Sequence, residues 1–242
     1  MPEEPAKLER VLVVSAHPDD PEFGFGGTVA KLAGEGVDVT YVICTDGSQG
    51  GEDPQVPDAE LTATRYREQQ AAAEVLGVKE VVFLGYRDGH LKFGLELRLA
   101  ITEQIRRFRP DAVFTHSPVR NLAIGIGASH PDHLAVGETA FAAVYPDARN
   151  PRAFRELLSE GLEAHKVKEI WVGAWTDGDH VVDVTGFVDR KIEALRCHQS
   201  QFQKPDRDSK WDVEKFIKER MAEVGKPHGY EYAESFRRIS TG

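Results

Sequence analysis

Short, continuous apolar runs alternate along this chain with longer segments of helical spacing. Val11-Leu12-Val13-Val14 has no polar position to turn toward solvent, so it predicts a strand covered on both faces, as in a parallel sheet. Val37 to Cys44 predicts a second strand after Gly36. Between them Thr28 to Ala33 fits a short helix that stops at Gly34 and Gly36, which completes a strand–helix–strand unit. The pattern then repeats. Asp58 to Leu76 reads as a helix closed by Gly77, and Val81 to Leu84 as a strand. Leu95 to Phe108 is a helix ended by Pro110, followed by a strand at Ala112 to Thr115. A small-residue helix runs from Leu134 to Val144. Glu169 to Ala174 and Val181 to Val184 read as further strands, Val188 to Cys197 and Trp211 to Val224 as the last helices.

No repeat or low-complexity linker interrupts this alternation. It predicts an α/β fold in a single domain over residues 1–242: a Rossmann-like, doubly wound sheet, mostly parallel, with helices on both faces. Such sheets bind ligands at the carboxyl ends of their strands, so the loops after the strands are where chemistry is expected.

Composition narrows the partners. The chain has 242 residues with 30 basic and 40 acidic side chains, a net charge of −10. That excess repels nucleic acid and anionic membranes, and no apolar run is long enough to span a bilayer. The two cysteines, Cys44 and Cys197, can neither staple this fold nor build a thiolate-rich metal site. The expectation is a cytoplasmic enzyme with a small-molecule substrate. The late helices leave a homo-oligomeric interface open.

Two post-strand loops carry most of the candidate chemistry. Ala16-His17-Pro18-Asp19-Asp20-Pro21-Glu22 places one imidazole and three carboxylates directly after the first strand. Without a counter-ion these carboxylates would raise one another's pKa values, and a divalent cation removes that cost. Histidine with aspartate suits zinc or iron, whereas an all-oxygen set would suit magnesium or calcium. Ser129-His130-Pro131-Asp132-His133 follows the fourth strand and opens a helix. His17, Asp20 and one of these two histidines would make three ligands and leave a coordination position open.

Paired in this order, the two motifs resemble the LmbE-like (PIG-L) family of zinc-dependent de-N-acetylases. Thr45-Asp46-Gly47, Arg65-x-x-Glu68, Leu76-Gly77-Val78, Phe83-Leu84-Gly85 with Asp88, His198-x-Ser200-Gln201 and Tyr232 to Phe236 extend the likeness over nearly the whole chain. The resemblance implies His17, Asp20 and His133 as ligands of Zn2+, with Fe2+ as the other metal that suits the set. It implies Asp19 as general base, His130 as the group that polarises or protonates the amide, and Asp132 as the residue that orients His130. Arg65 matches a position that contacts substrate. The implied reaction hydrolyses a non-peptide amide, removing an acetyl group from an N-acetylglucosamine-type conjugate or a related N-acylated small molecule.

Two other readings were weighed. Gly24-x-Gly26-Gly27 is glycine-rich, but Val29 stands where a dinucleotide fingerprint needs its last glycine, and Asp19, Asp20 and Glu22 would repel a pyrophosphate. A metal-binding regulatory protein on the same scaffold, without turnover, is the alternative from another class. Weaker candidates are His116 and Arg120, read as loop residues, and Leu122 to Gly127, read as a pocket wall or lid. Trp171 and Trp175 are expected in the core or an interface, and His198 at a helix end.

Overall fold

The computed structural model describes residues 7–122, 126–173, 178–202 and 212–242. Its strands are β1 (Arg10–Ser15), β2 (Asp38–Thr45), β3 (Glu80–Tyr86), β4 (Ala112–Thr115), β5 (Glu169–Gly173), β6 (His180–Asp183) and β7 (Ala233–Ser240). The helices are α1 (Asp20–Gly34), α2 (Asp58–Leu76), α3 (Leu95–Phe108), α4 (Pro131–Ala142), α5 (Glu156–Ser159), α6 (Val188–Cys197), α7 (Gln199–Phe202) and α8 (Val213–Gly225). The strands form one seven-stranded sheet in the order β3-β2-β1-β4-β5-β7-β6. Neighbours from β3 to β5 pair in parallel, and β7 lies antiparallel between β5 and β6. The fold is the expected mostly parallel α/β sheet.

Helices cover both faces, which explains the unbroken apolar run of β1. Leu12 and Val14 pack with Ile101, Ile105 and Val136 from α3 and α4. Val11 and Val13 face the other way, onto Val29, Ala72, Leu76 and Ala194 from α1, α2 and α6. Trp171 is buried there and stacks on Phe114 with ring centroids 4.7 Å apart. Trp175, Ala174 and Trp211 lie outside the described residues.

Two expectations need correction. The first helix begins at Asp20, not Thr28. Its glycines serve close approach: a Cβ on Gly26 would stand 3.0 Å from Lys191 Cγ, and one on Gly27 would stand 3.1 Å from both Glu234 Oε1 and Val184. Into this gap come a lysine from α6 and a glutamate from β7, whose Lys191 Nζ and Glu234 Oε1 pair at 2.7 Å. Glu234 also accepts the Gly27 and Thr28 N–H groups at 2.9 and 2.8 Å, and Lys191 donates to the Phe23 carbonyl at 2.8 Å. The second correction is β7 itself, which no apolar run announced. Its sequence AESFRRIS buries a glutamate beside Ala233 and Phe236, so the period-two signature of a strand is lost.

A smaller shift lies at one element end. The fourth major helix starts at Pro131, not Leu134, and extended Tyr145 (φ −142°, ψ 117°) breaks it before Pro146, where its end was expected. No helix among the described residues is long and apolar enough to cross a membrane.

Candidate metal centre and active site

The connection from β1 to β2 leaves on one side of β1, while β4 pairs on the other. This is the switch point at which open α/β sheets form a crevice. The loop after β1 carries His17 to Asp20, and the segment after β4 returns through His116 to α4 with His130 and His133. A very tight turn joins the first loop to α1. The His17 N–H donates to Asp20 Oδ2 at 2.7 Å, and Asp19 adopts φ 90°, ψ −29°, a left-handed conformation uncommon for a residue with a Cβ.

This turn brings three donor groups together across the crevice. His17 Nδ1 lies 3.2 Å from Asp20 Oδ2, His133 Nε2 lies 3.1 Å from Asp20 Oδ1, and the two ring nitrogens are 3.3 Å apart. A tetrahedral ion with bonds of about 2.0–2.1 Å holds its ligand atoms about 3.3 Å from one another. The other ring nitrogen of His17 faces two carboxylates, Asp88 Oδ1 at 3.2 Å and Asp132 Oδ2 at 3.3 Å. A proton on Nε2 satisfies that side and leaves the Nδ1 lone pair aimed at Asp20 and His133. Imidazoles that bind metals are commonly fixed in this way by a carboxylate behind them.

The charge balance points the same way. Burial opposes a charge on His17, yet the carboxylates of Asp132, Asp20 and Asp88 outweigh it, and its pKa is pushed up to about 12. Burial would raise Asp20, but the neighbouring His133 and His116 hold it well below the usual carboxylate range. With no ion, protonating an imidazole is how the cluster neutralises itself. An N,N,O donor set in a carboxylate-rich crevice fits a divalent cation. Asp19 behaves differently from its neighbour. Burial pushes its pKa up to about 6 against the pull of Arg65, with Asp20 adding to the rise. A carboxyl group poised near neutrality is suited to taking up and returning a proton.

His116, expected as a loop residue, stacks on His133 with centroids 4.1 Å apart and lies 3.4 Å from Asp20 Oδ2. Its Nε2 accepts the Ala16 N–H at 3.0 Å, so that lone pair is occupied by the backbone. Burial and the neighbouring His133 push its pKa down to about 4. It supports the cluster as a neutral ring.

Asp132 does not orient His130 as expected. Its buried carboxylate accepts Gly89 N–H at 2.7 Å and Leu91 N–H at 3.1 Å and faces His17. Its backbone N–H is what donates to His130 Nδ1, at 3.2 Å. That bond makes Nδ1 an acceptor and leaves Nε2–H as the donor of a neutral ring. Burial and the His17 charge lower the pKa of His130 accordingly.

Arg65, expected to contact substrate, reaches the same loop from α2. It is buried at 3% exposure, and its guanidinium donates to Gly47 O at 2.9 Å and to Pro18 O at 2.6 Å. Asp19 Oδ2 lies 3.4 Å from the same Nη2. The Thr45-Asp46-Gly47 motif makes room for it: Gly47 has φ +66°, and a Cβ on Gly50 would collide with Arg65 Nη1. Two of its nitrogens thus serve backbone carbonyls, while Nε has no hydrogen-bond partner among the described residues.

Of the residues behind the loop, the sequence reading singled out Glu22 and His198 but not Gln69, nor their contact. Gln69, Glu22 and His198 are fully buried and joined in a row, Gln69 Nε2 to Glu22 Oε1 at 2.9 Å and His198 Nε2 to Glu22 Oε2 at 3.1 Å. Burial opposes a charge on His198, but the Glu22 carboxylate outweighs it and raises its pKa. One signal was available. Arg65 and Gln69 continue the stripe of Ala72, Ala73 and Leu76 that α2 buries, so they are polar side chains on a core-facing side.

In front of the donor atoms lies a cavity of about 850 Å³. Asp20, His116 and His133 form its inner end, Phe23, Phe25, Phe141 and Val172 its apolar walls, and Ser117, Arg120 and Asn121 bring polar groups to the rim. Leu122 and Ile126 flank this rim and are exposed, while Ala123–Gly125 of the expected lid lie outside the described residues.

An open α/β sheet with histidine–aspartate donors at the carboxyl ends of β1 and β4 defines a class of protein, and comparison with known proteins gives it a family. The profile described as "PIG-L: GlcNAc-PI de-N-acetylase" matches residues 12–144. The chain is 33% identical to diacetylchitobiose deacetylase of Thermococcus kodakarensis over 95% of this chain and 83% of that protein. It is also 33% identical to a probable N-acetyl-alpha-D-glucosaminyl L-malate deacetylase 2 of Bacillus anthracis, over 81% and 83% of the two chains. Among solved structures, N,N'-diacetylchitobiose deacetylase from Pyrococcus horikoshii, complexed with an inhibitor, superposes with a TM-score of 0.87 at 34% identity, covering 97% of this chain and 85% of that one. The chain belongs to the PIG-L, or LmbE-like, family.

Proposed function

We propose that this protein is a metal-dependent N-deacetylase that hydrolyses the acetamide of an N-acetylglucosamine-type conjugate in the cytoplasm, with His17, Asp20 and His133 as metal ligands. The observation that carries the reading is the approach of His17 Nδ1 and His133 Nε2 to each other and to the two oxygens of Asp20 at 3.1–3.3 Å, with Asp19 next in the chain. The deacetylases among its relatives, at about a third identity over most of the chain, support the substrate class.

Zinc, or iron in its place, would supply Lewis acidity toward water and toward the amide carbonyl. The remaining work falls to this chain's own groups. Asp19, with its pKa pushed up to about 6, accepts a proton at its carboxylate as water attacks the amide carbon, and can hand that proton to the nitrogen that leaves as an amine. His130, its Nδ1 held by the Asp132 N–H, presents Nε2–H to the negative charge that develops on the carbonyl oxygen. Asp132 and Asp88 fix the His17 ring. The cavity walls exclude water from the acyl side of the substrate, and the polar rim faces hydroxyl groups. The products are a free amine and acetate.

The test is to load purified protein with zinc or ferrous iron, measure the bound metal, and follow amine release from N-acetylglucosamine, its conjugates and non-sugar acetamides. Chelator-sensitive release from the sugar acetamides is expected. Stoichiometric metal without amine release from any compound would refute the proposal.

A further inference from the structure

The Pro18–Asp19 peptide is held at both of its polar ends by one helix. Arg65 Nη2 donates to its carbonyl oxygen, Pro18 O, at 2.6 Å, and Gln69 Oε1 accepts its N–H, Asp19 N, at 2.9 Å. Arg65 and Gln69 are separated by four residues on α2, one helical turn, so their side chains reach the crevice side by side. Behind them the row through Glu22 to His198 is fully buried, and it fixes which end of the Gln69 amide faces Asp19: the NH2 donates to Glu22, so the oxygen is left for the Asp19 N–H. In front of them is a residue at φ 90°, a conformation an aspartate holds only where its surroundings over-determine it.

We infer that Arg65 and Gln69 act as a peptide clamp: positioning residues that lock the Pro18–Asp19 peptide plane and so aim the Asp19 carboxylate at the reacting amide, with Glu22 and His198 as the backstop of the clamp. The inference rests on the reading of Asp19 as the proton acceptor. It gives Arg65 a role that its burial permits. It also explains a fully buried glutamine, glutamate and histidine that touch none of the three donor groups. Without the clamp the peptide can rotate toward ordinary φ values and swing the carboxylate away, while the ligands, held through the His17 N–H to Asp20 bond, stay in place.

Gln69→Leu removes the acceptor at similar volume. A base misplaced by about an ångström costs on the order of 10²-fold in turnover, so kcat is expected to fall by about that factor with KM and bound metal unchanged. In an Asp19→Asn background, where no base remains to be aimed, the same substitution should lower the residual kcat less than about twofold. The exchange variant, Glu22→Gln with Gln69→Glu, keeps the net charge and each bond of the row, so it should recover most of the turnover. It also serves if Gln69→Leu folds poorly. Equal losses in both backgrounds, or a loss of bound metal in step with activity, would overturn the clamp. Wild-type turnover in Asp19→Asn alone would instead overturn the assignment of Asp19, a result distinguishable from failure of the clamp.

Discussion

Two groups of carboxylates packed against α1 have opposite consequences. Where the helix middle is gripped, Glu234 meets an ammonium and two backbone N–H groups, and nothing further is required of the surroundings. Where the helix begins, Asp20, Asp88 and Asp132 converge on one imidazole and push its pKa up to about 12. The first arrangement is closed and structural. The second gathers three carboxylates around one ring, and one of them, Asp20, lines a cavity. Buried acids therefore signal a site where they outnumber the cations the chain places among them, and that is visible only after the partners are placed.

The contrast can be broken at its structural end first. Lys191→Met leaves Glu234 buried without its cation, and removing one partner of such a pair costs about 3–5 kcal/mol. A fall of that size in unfolding free energy is expected by denaturant titration, with the metal site of the folded fraction intact. Adding Glu234→Gln should recover part of it, since a glutamine oxygen can still accept the Gly27 N–H. A stability unchanged by Lys191→Met would remove the distinction.

At the functional end the effect on folding is smaller and the effect on the ion larger. Asp132→Asn keeps an acceptor for Gly89 or Leu91 but withdraws one negative charge from behind His17. Residues in that position tune affinity by about 10–100-fold, so zinc should bind more weakly by such a factor in a competitive chelator titration. Unchanged affinity would mean His17 is not a ligand through Nδ1.

The mildest test is protonic. The folded pKa of His17 is raised above the ordinary 6.5, so its stabilisation of the metal-free protein is full below pH 6.5 and is lost as pH rises toward about 12. A ligand must shed that proton. Zinc added to metal-free protein near pH 8 should release about one proton from this ring, and affinity should rise with pH by up to about tenfold per unit until the pKa is passed. Zinc titration in weakly buffered indicator reads this directly, and binding without proton release would count against His17 as a ligand.

Much of the fold was legible because its signals are local. The apolar run of β1, the stop at Gly77 and the Pro110 boundary each report on residues a few positions away. The residue types of the site were legible for the same reason, since both clusters are contiguous. Less local matters were misread. Helix α1 looked like a glycine loop because its glycines make room for Lys191 and Glu234, far along the chain. The hold of Arg65 on Pro18 and Gly47 was equally hidden, because nothing nearby in sequence shows it.

The sequence by itself determined an alternating α/β chain, the strand ends at which chemistry would sit, and a histidine–aspartate donor set suited to a borderline metal. Folding in three dimensions turned the Asp132 carboxylate to His17 and left His130 to its backbone N–H, brought His116 into the cluster as a neutral ring, and ran the last strand backwards beside β5. The reason is physical. Periodicity and capping act over one or two turns, whereas His17 and Asp132 are 115 residues apart and meet only because β1 and β4 pair at the switch point of the sheet.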